Sequence, residues 1–221
     1  MFPFPFSFVG SGEVIPDLEL ISNNYAMEFD GTDEYVSAGN PSELQLTGDI
    51  SVSAWFKTSD SATQMVIVGR GHIYSSSLSS WCLFRRTNNG LAVQLRSGSA
   101  YQYALSPATT YNDGNWHNAV FTREVSSGDL KLYIDGSLVV TTPSVTSALD
   151  NETQNTYIGA DTQPAEYFDG DIDEVAIWNK ALSADDITTI YNSTNNNPGK
   201  CANLFTGGLG SGLVYWNRMG D

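Results

Sequence analysis

Apolar and polar residues alternate through most of this chain. Ile50, Val52, Ala54 and Phe56 interleave with Ser51, Ser53, Trp55 and Lys57, the period of two that marks a strand with one buried face. Similar runs recur at Met65 to Val68, Trp81 to Phe84, Leu91 to Leu95, Tyr101 to Leu105, Trp116 to Thr122, Leu130 to Ile134, Leu138 to Thr141, Tyr157 to Gly159 and Ile172 to Trp178. Two of the joints are Asn89-Gly90 and Asp135-Gly136, dipeptides that tolerate the positive φ angles of a tight hairpin turn. Hairpins impose antiparallel pairing, so the pattern predicts an all-β sandwich and not a doubly wound sheet.

One helix is expected near the end of this body. Ser183 suits an N-cap, Asp186 stands three residues on, and Leu182 can pack against Ile187, which together make a capping box and a hydrophobic staple. Ile187, Ile190 and Tyr191 form its apolar stripe, and the Asn-rich run from Asn192 to Gly199 stops it. Residues 1–24 hold three prolines and lack a clear period, so they read as an extended arm. Phe2, Phe4, Phe6 and Phe8 at spacing two would line one side of it, and so apolar an arm needs a surface to cover. The organisation expected is therefore an arm over 1–24, a sandwich over 25–192 and a tail over 193–221 with a possible edge strand.

At 221 residues the chain has the length of one larger all-β domain. Ten Lys and Arg stand against twenty-five Asp and Glu, a net charge of −15. Such a surface repels phosphate backbones and anionic lipid, which argues against nucleic-acid and membrane partners and in favour of divalent cations. Two cysteines, Cys82 and Cys201, make no disulfide framework; Cys82 lies in an apolar run as a buried thiol, and a bond to Cys201 is left open. The first eight residues carry no Lys or Arg and their prolines interrupt a helix, so no signal peptide is expected there. Nor does any stretch approach the roughly 20 apolar residues of a membrane helix.

The ordered motifs carry a resemblance. Met27-Glu28-Phe29-Asp30-Gly31 with Tyr35-Val36, Ile50 to Lys57, Trp116-His117-Asn118-Ala119-Val120, Leu132-Tyr133-Ile134-Asp135-Gly136, Tyr157-Ile158-Gly159, Phe168-Asp169-Gly170 with Ile172-Asp173-Glu174-Val175, and Leu182 to Ile187 resemble the laminin G-like domains of the concanavalin A-like lectin/glucanase superfamily, of the type found in phage and bacterial surface proteins. The resemblance covers roughly residues 25–192. It implies a two-sheet jelly roll with a structural calcium ion (Ca2+) at its rim, and carries over Asp30 and Asp173 as ligands, with a carbonyl near Gly31 and a weaker Asp33. Six to eight oxygens are needed in all, so carbonyls and water must complete the set. The chain departs from the family at its ends, where Leu213-Val214-Tyr215-Trp216 stands at the back in place of an opening strand; it is expected to fill the missing edge in its own domain or in a neighbouring subunit.

Catalysis finds little support. Glucan-cleaving relatives place acids at alternate positions of one strand, and here Asp171 and Asp173 are followed by Val175, with Glu174 expected on the opposite face. A retaining glycosidase needs two carboxyl groups about 5 Å apart across the bond. His117 lies within a strand as a structural histidine, and His72 follows Gly69-Arg70-Gly71 in a loop. Tyr74, Tyr101, Tyr103, Tyr111 and Tyr167 are aromatic faces that could meet a sugar, Tyr101 and Tyr103 pointing the same way from one strand. The expectation is a non-enzymatic binding or structural module, on a virion surface or appendage or otherwise extracellular, with glycan or other surface proteins as partners and homo-oligomeric assembly through its arms. The alternatives are a carbohydrate-binding domain of a secreted protein and a glycoside hydrolase.

Overall fold

The computed structural model describes residues 6–9, 13–61, 63–73, 79–108, 110–150, 153–161 and 166–221. Strands β1 (Phe6–Val9), β2 (Glu13–Pro16), β3 (Leu20–Ser22), β4 (Met27–Asp30), β5 (Val36–Gly39) and β6 (Ile50–Lys57) open the chain. The middle holds β7 (Met65–Gly71), β8 (Ser79–Arg85), β9 (Leu91–Ser97), β10 (Ala100–Leu105), β11 (His117–Glu124), β12 (Asp129–Ile134) and β13 (Ser137–Pro143). Then come β14 (Thr156–Ile158), β15 (Asp169–Trp178), helix α1 (Ala184–Asn195), β16 (Lys200–Ala202) and β17 (Leu213–Asn217).

Two antiparallel sheets form the sandwich. One runs β13-β12-β11-β6-β15-β17, with β4 also on β15, and the other runs β10-β9-β8-β7-β14-β5. Asp135-Gly136 takes the backbone expected of a tight turn, with φ of 51° and 73°, whereas at Asn89-Gly90 only Asn89 is positive, at 65°, in a longer loop closed by the Arg86 amide donating to the Gly90 carbonyl at 2.8 Å. Between the sheets pack Ile50, Val52, Ala54 and Phe56 of β6, Phe121 of β11, Ile172, Val175 and Ile177 of β15, and Met65, Trp81, Leu83 and Val93 from the facing sheet. Arg123 reaches this region fully buried and donates to the carbonyls of Thr47, Gly48, Val145 and Ser147, tying together two loops at one end.

The polar face of β6 does not meet water as its alternation predicts. Ser51, Ser53 and Trp55 are buried too, because α1 and the segment after it lie across the outside of this sheet. Val120, Tyr133, Ala176 and Trp178 pack there against Ile187 and Ile190 of the helix and against Ala202, Leu204 and Leu209. Burial of each such isoleucine is worth about 1.5–3 kcal/mol. Ser51 is satisfied internally, donating to the Lys180 carbonyl at 2.8 Å and accepting from the Leu182 amide at 2.8 Å. The helix begins at the expected N-cap: Ser183 Oγ accepts from the Asp186 amide and Asp186 accepts from the Ser183 amide, both at 3.1 Å.

Both ends of the chain close one edge of β15. Its first half pairs with β4, Asp169 opposite Asp30 and Ile172 opposite Met27, and its second half pairs with β17, Val175 opposite Asn217. The Phe-Asp-Gly segments at the front and back of the chain are thus direct neighbours. Gly170 is needed at this junction: its φ is +134°, and a Cβ there would come within 2.1 Å of the Lys57 carbonyl oxygen. Strand β3 pairs with β16, while β1 and β2 pair with each other, Phe6 opposite Pro16. Phe2 and Phe4 lie outside the described residues.

Candidate functional site

Between β4 and β17 the edge of β15 is interrupted by one extra residue. Asp173 pairs with Trp55 of β6, but the next pairing joins Ala176 to Ser53, and Glu174 takes φ of 50°. This β-bulge corrects the expectation that Glu174 points into the other face. The inserted residue resets the alternation, so Glu174 turns to the outside of the sheet and, with Trp55 and Cys201, lines a small space beneath α1.

Beside the bulge lies a cavity of about 350 Å³. Its base is Asp173 with Trp55, and one wall is the link from β3 to β4, Asn23 to Ala26. The opposite wall comes from the end of α1 and the turn after it, including Asn195 and Lys200, and Trp116 completes the rim. Trp116 and Tyr25 are open to solvent, 39% and 66% exposed, whereas Asp173 is only 5% exposed. Trp55 stacks on Tyr191 of the helix, rings 5.7 Å apart and 10° from parallel. Lys57 stands over Trp116, its Nζ 5.8 Å from the ring centroid, while paired with Asp171 at 2.8 Å.

The polar wall is fastened from several sides. The Asn23 amide donates to the Gly199 carbonyl at 2.9 Å, and the Asn24 amide donates to Asp221 Oδ2 at 2.6 Å. Arg218 donates to the Ser22 carbonyl and to Glu174 Oε1. At the base, Asp173 Oδ2 accepts from Asn23 Nδ2 at 2.9 Å and Oδ1 accepts from the Glu174 amide at 2.7 Å. Asn23 Oδ1 is buried with no hydrogen-bond partner.

Burial dominates the electrostatics here. Loss of water pushes the Asp173 carboxyl up to about 7, with Glu174 and Asp221 adding to the rise and the bond from Asn23 opposing it. Burial also raises Glu174, against the bonds from Trp216, Cys201 and Arg218. The Cys201 thiol, 3.3 Å from Glu174 Oε1, is pushed up to about 12, first by burial and then by that carboxylate. Cys82 and Cys201 are both free and buried.

Of the four residues assigned to a calcium ion, Asp30, Gly31 and Asp33 share one turn, and Asp173 stands apart from it. Asp30 and Gly31 lie at the junction with Asp169, and Asp173 is four residues further along β15, about 13 Å away at the usual strand rise. Asp30 Oδ1 accepts from the Thr32 amide at 2.9 Å, and the Asp30 amide donates to Glu34 Oε2 at 2.9 Å, so that turn is closed by its own groups. No group of three or more His, Cys, Asp or Glu side chains placed to hold a metal occurs among the described residues. As placed, Asp173 does not share one calcium site with the turn at Asp30.

Of the aromatic candidates, Tyr101 and Tyr103 stack at 6.5 Å and 12° on the outer edge of the other sheet, away from the cavity. Tyr111 packs against the core and edge-on to His117, whose ring is held by Asp135 at 2.8 Å and Asp113 at 3.2 Å. His72 is paired with the buried Asp161. Tyr167 does not line the cavity, and Tyr74 lies outside the described residues. Sequence reasoning missed the cavity because five separate segments build it. Trp116 reads in the sequence as a strand residue, Asn23 and Asn24 as the end of the arm, Tyr25 and Ala26 as the start of the sandwich and Asn195 as part of the helix stop.

A profile of the Laminin_G_3 family, in the concanavalin A-like lectin/glucanases superfamily, matches residues 30–188, and the chain belongs to that family. No curated protein sequence matches it. Among solved structures, the carbohydrate-binding module CBM40 of the Ruminococcus gnavus IT-sialidase is similar at 14% identity and a TM-score of 0.61, over 78% of this chain and 98% of that one. The ligand-binding domain of botulinum neurotoxin serotype D, solved with N-acetylneuraminic acid, is similar at 19% identity and 0.58, over 83% and 49%. A heptameric pentraxin of Limulus polyphemus is similar at 15% identity and 0.51, over 79% and 82%. The chain thus spans about half the length of the botulinum domain. At these identities the likeness is one of fold.

Proposed function

We propose that this protein is a non-enzymatic glycan-binding module and that the cavity beside the β15 bulge is its site. The observation that carries the reading is the joining of exposed aromatic faces, Trp116 and Tyr25, to the buried carboxylate of Asp173 and the half-buried amide of Asn23 that donates to it, in one concave space. Sugar rings offer an apolar face and a fringe of hydroxyls, and such a site offers a counterpart to each. Carbohydrate-binding modules among the proteins of like fold support it. In the alternate-acid pattern of a glucan-cleaving strand, Asp171 is here engaged by Lys57 and the third position, Val175, is in the core, which favours binding over cleavage.

Trp116→Ala tests the site. With the ring already 39% exposed, the change leaves the melting temperature close to wild type. Loss of a central aromatic anchor costs about 2 kcal/mol, roughly thirtyfold in Kd, read on a glycan array and then by calorimetry. Unchanged affinity on every glycan bound would remove the cavity from consideration.

The setting we propose is a virion surface or appendage, a decoration, tail or fibre protein assembled as a homo-oligomer through its terminal segments. Its support is the β1–β2 hairpin, which pairs with neither sandwich sheet and belongs to a stretch with four phenylalanines in its first eight residues. Light scattering of the full chain and of a form lacking residues 1–16 tests this; a monomer in both cases contradicts it.

A further inference from the structure

The charges around the cavity bear on which sugars it admits, and this step rests on the glycan-binding reading above. We infer that the cavity selects an uncharged sugar ring, held by hydroxyls that donate to Asp173 and Asn23, and disfavours glycans ending in sialic or uronic acid.

Two facing sets of groups lead there. The base presents acceptors. Asp173 is 5% exposed with one protein donor on each oxygen, so each retains a lone pair, and Asn23 Oδ1 is buried without a donor. A ligand must bring N–H or O–H groups to this point, because a second acceptor would leave buried lone pairs opposed. A carboxylate would also meet the field of Asp173, with Glu174 and Asp221 close enough to act on the same group.

A cationic ligand is disfavoured for a different reason. Lys200 lines the opposite wall, and Lys57 already stands over the Trp116 ring, where an ammonium ligand would otherwise find its aromatic partner. Arg218, the remaining cation nearby, is held by Glu174 and Asp221 at 3.3 and 3.4 Å. A ligand of either sign therefore meets a like charge, while a neutral polyol finds acceptors below it and aromatic faces beside it. Selectivity of this kind comes from what the site repels as much as from what it binds.

The test uses the full chain at pH 8, with Asp173 ionised. Matched neutral and capped glycans are titrated by calorimetry: lactose against α2,3-sialyllactose, and neutral hexose, hexosamine and hexuronic acid conjugates from an array. The neutral member of each pair is expected to bind at least tenfold more tightly, and Asp173→Asn is expected to shrink the gap to about threefold by removing the repulsion. Trp116→Ala reports on the location, since it should weaken every neutral ligand. Equal or tighter binding of the acidic members, or of glucosamine, in a protein still sensitive to Trp116→Ala would overturn the selectivity and leave the site standing. Absence of binding to any glycan, or binding insensitive to Trp116→Ala, would overturn both.

Discussion

Replacing Asp173 by Asn separates the cost of its buried charge from its role in binding. In the folded protein the carboxyl titrates at about 7, whereas in the unfolded chain it returns to about 4. Between those values the native state holds a proton that the unfolded state has released. Stability therefore falls as pH rises through this window, reaches its minimum above 7, and carries no penalty below about 4, where both states are protonated. The full shift corresponds to about 4 kcal/mol at high pH, and about 2–3 kcal/mol of it accrues between pH 5 and pH 8. Asn has no proton to gain. It does present only one acceptor to the two donors, Asn23 Nδ2 and the Glu174 amide, which costs about 1 kcal/mol at every pH. Asp173→Asn should thus be near wild type in stability at pH 5 and more stable by about 2–3 kcal/mol at pH 8. Urea denaturation at intervals between those pH values, with matched m-values, measures the difference. His117, whose pKa is raised by its bond to Asp135, also loses stabilisation as pH rises, but it is common to both proteins and cancels. A stability difference that stays constant to about 0.5 kcal/mol across the range would mean that Asp173 titrates normally and that its burial costs little.

Gly170→Ala should destabilise the protein by about 3 kcal/mol or more, since a Cβ there meets the Lys57 carbonyl oxygen at 2.1 Å; chemical denaturation against Gly98→Ala, where nothing lies within 4 Å of the added carbon, separates contact from positive-φ strain. Chelation tests the calcium ion that the family resemblance implies. With Asp30 and Asp173 on different stretches of β15's neighbourhood, EDTA is expected to leave the melting temperature unchanged, and a fall of several degrees reversed by Ca2+ would show the turn around Asp30 and Asp33 gathering about an ion.

The body of the fold was legible because its signals are local. Alternation in β6, the Asp135-Gly136 turn and the Ser183 to Asp186 capping box each act within a few residues, and each appears where its residues predict. The Leu213–Asn217 strand could be read as an edge strand from its departure from the family order, and it takes the edge of β15 in its own domain. What could not be read is the covering of Ser51, Ser53 and Trp55, because the alternation of a strand does not say whether a distant helix will shield its polar side. The bulge at Glu174 was missed although the sequence carries its trace. Asp171-Ile172-Asp173-Glu174-Val175 breaks the period of two between Asp173 and Glu174, and the core residues step by three from Ile172 to Val175 before returning to a step of two at Ile177, as one inserted residue requires. The cavity follows from that irregularity and from five segments remote in sequence, so the residues that line it carried no joint signal, whereas the Asp30 and Asp173 pair, which did, lies at two separate places.

Whether a glycan settles beside the β15 bulge is read by titrating the uniformly ¹⁵N-labelled protein with a neutral glycan from the array and following the five tryptophan indole N–H signals. Trp116 and Trp55 should shift with the binding isotherm while Trp81, enclosed in the core, stays in place. Shifts confined to residues of β9 and β10 around Tyr101 and Tyr103, with Trp116 and Trp55 unmoved, would place the ligand on the other sheet and contradict a site at the bulge.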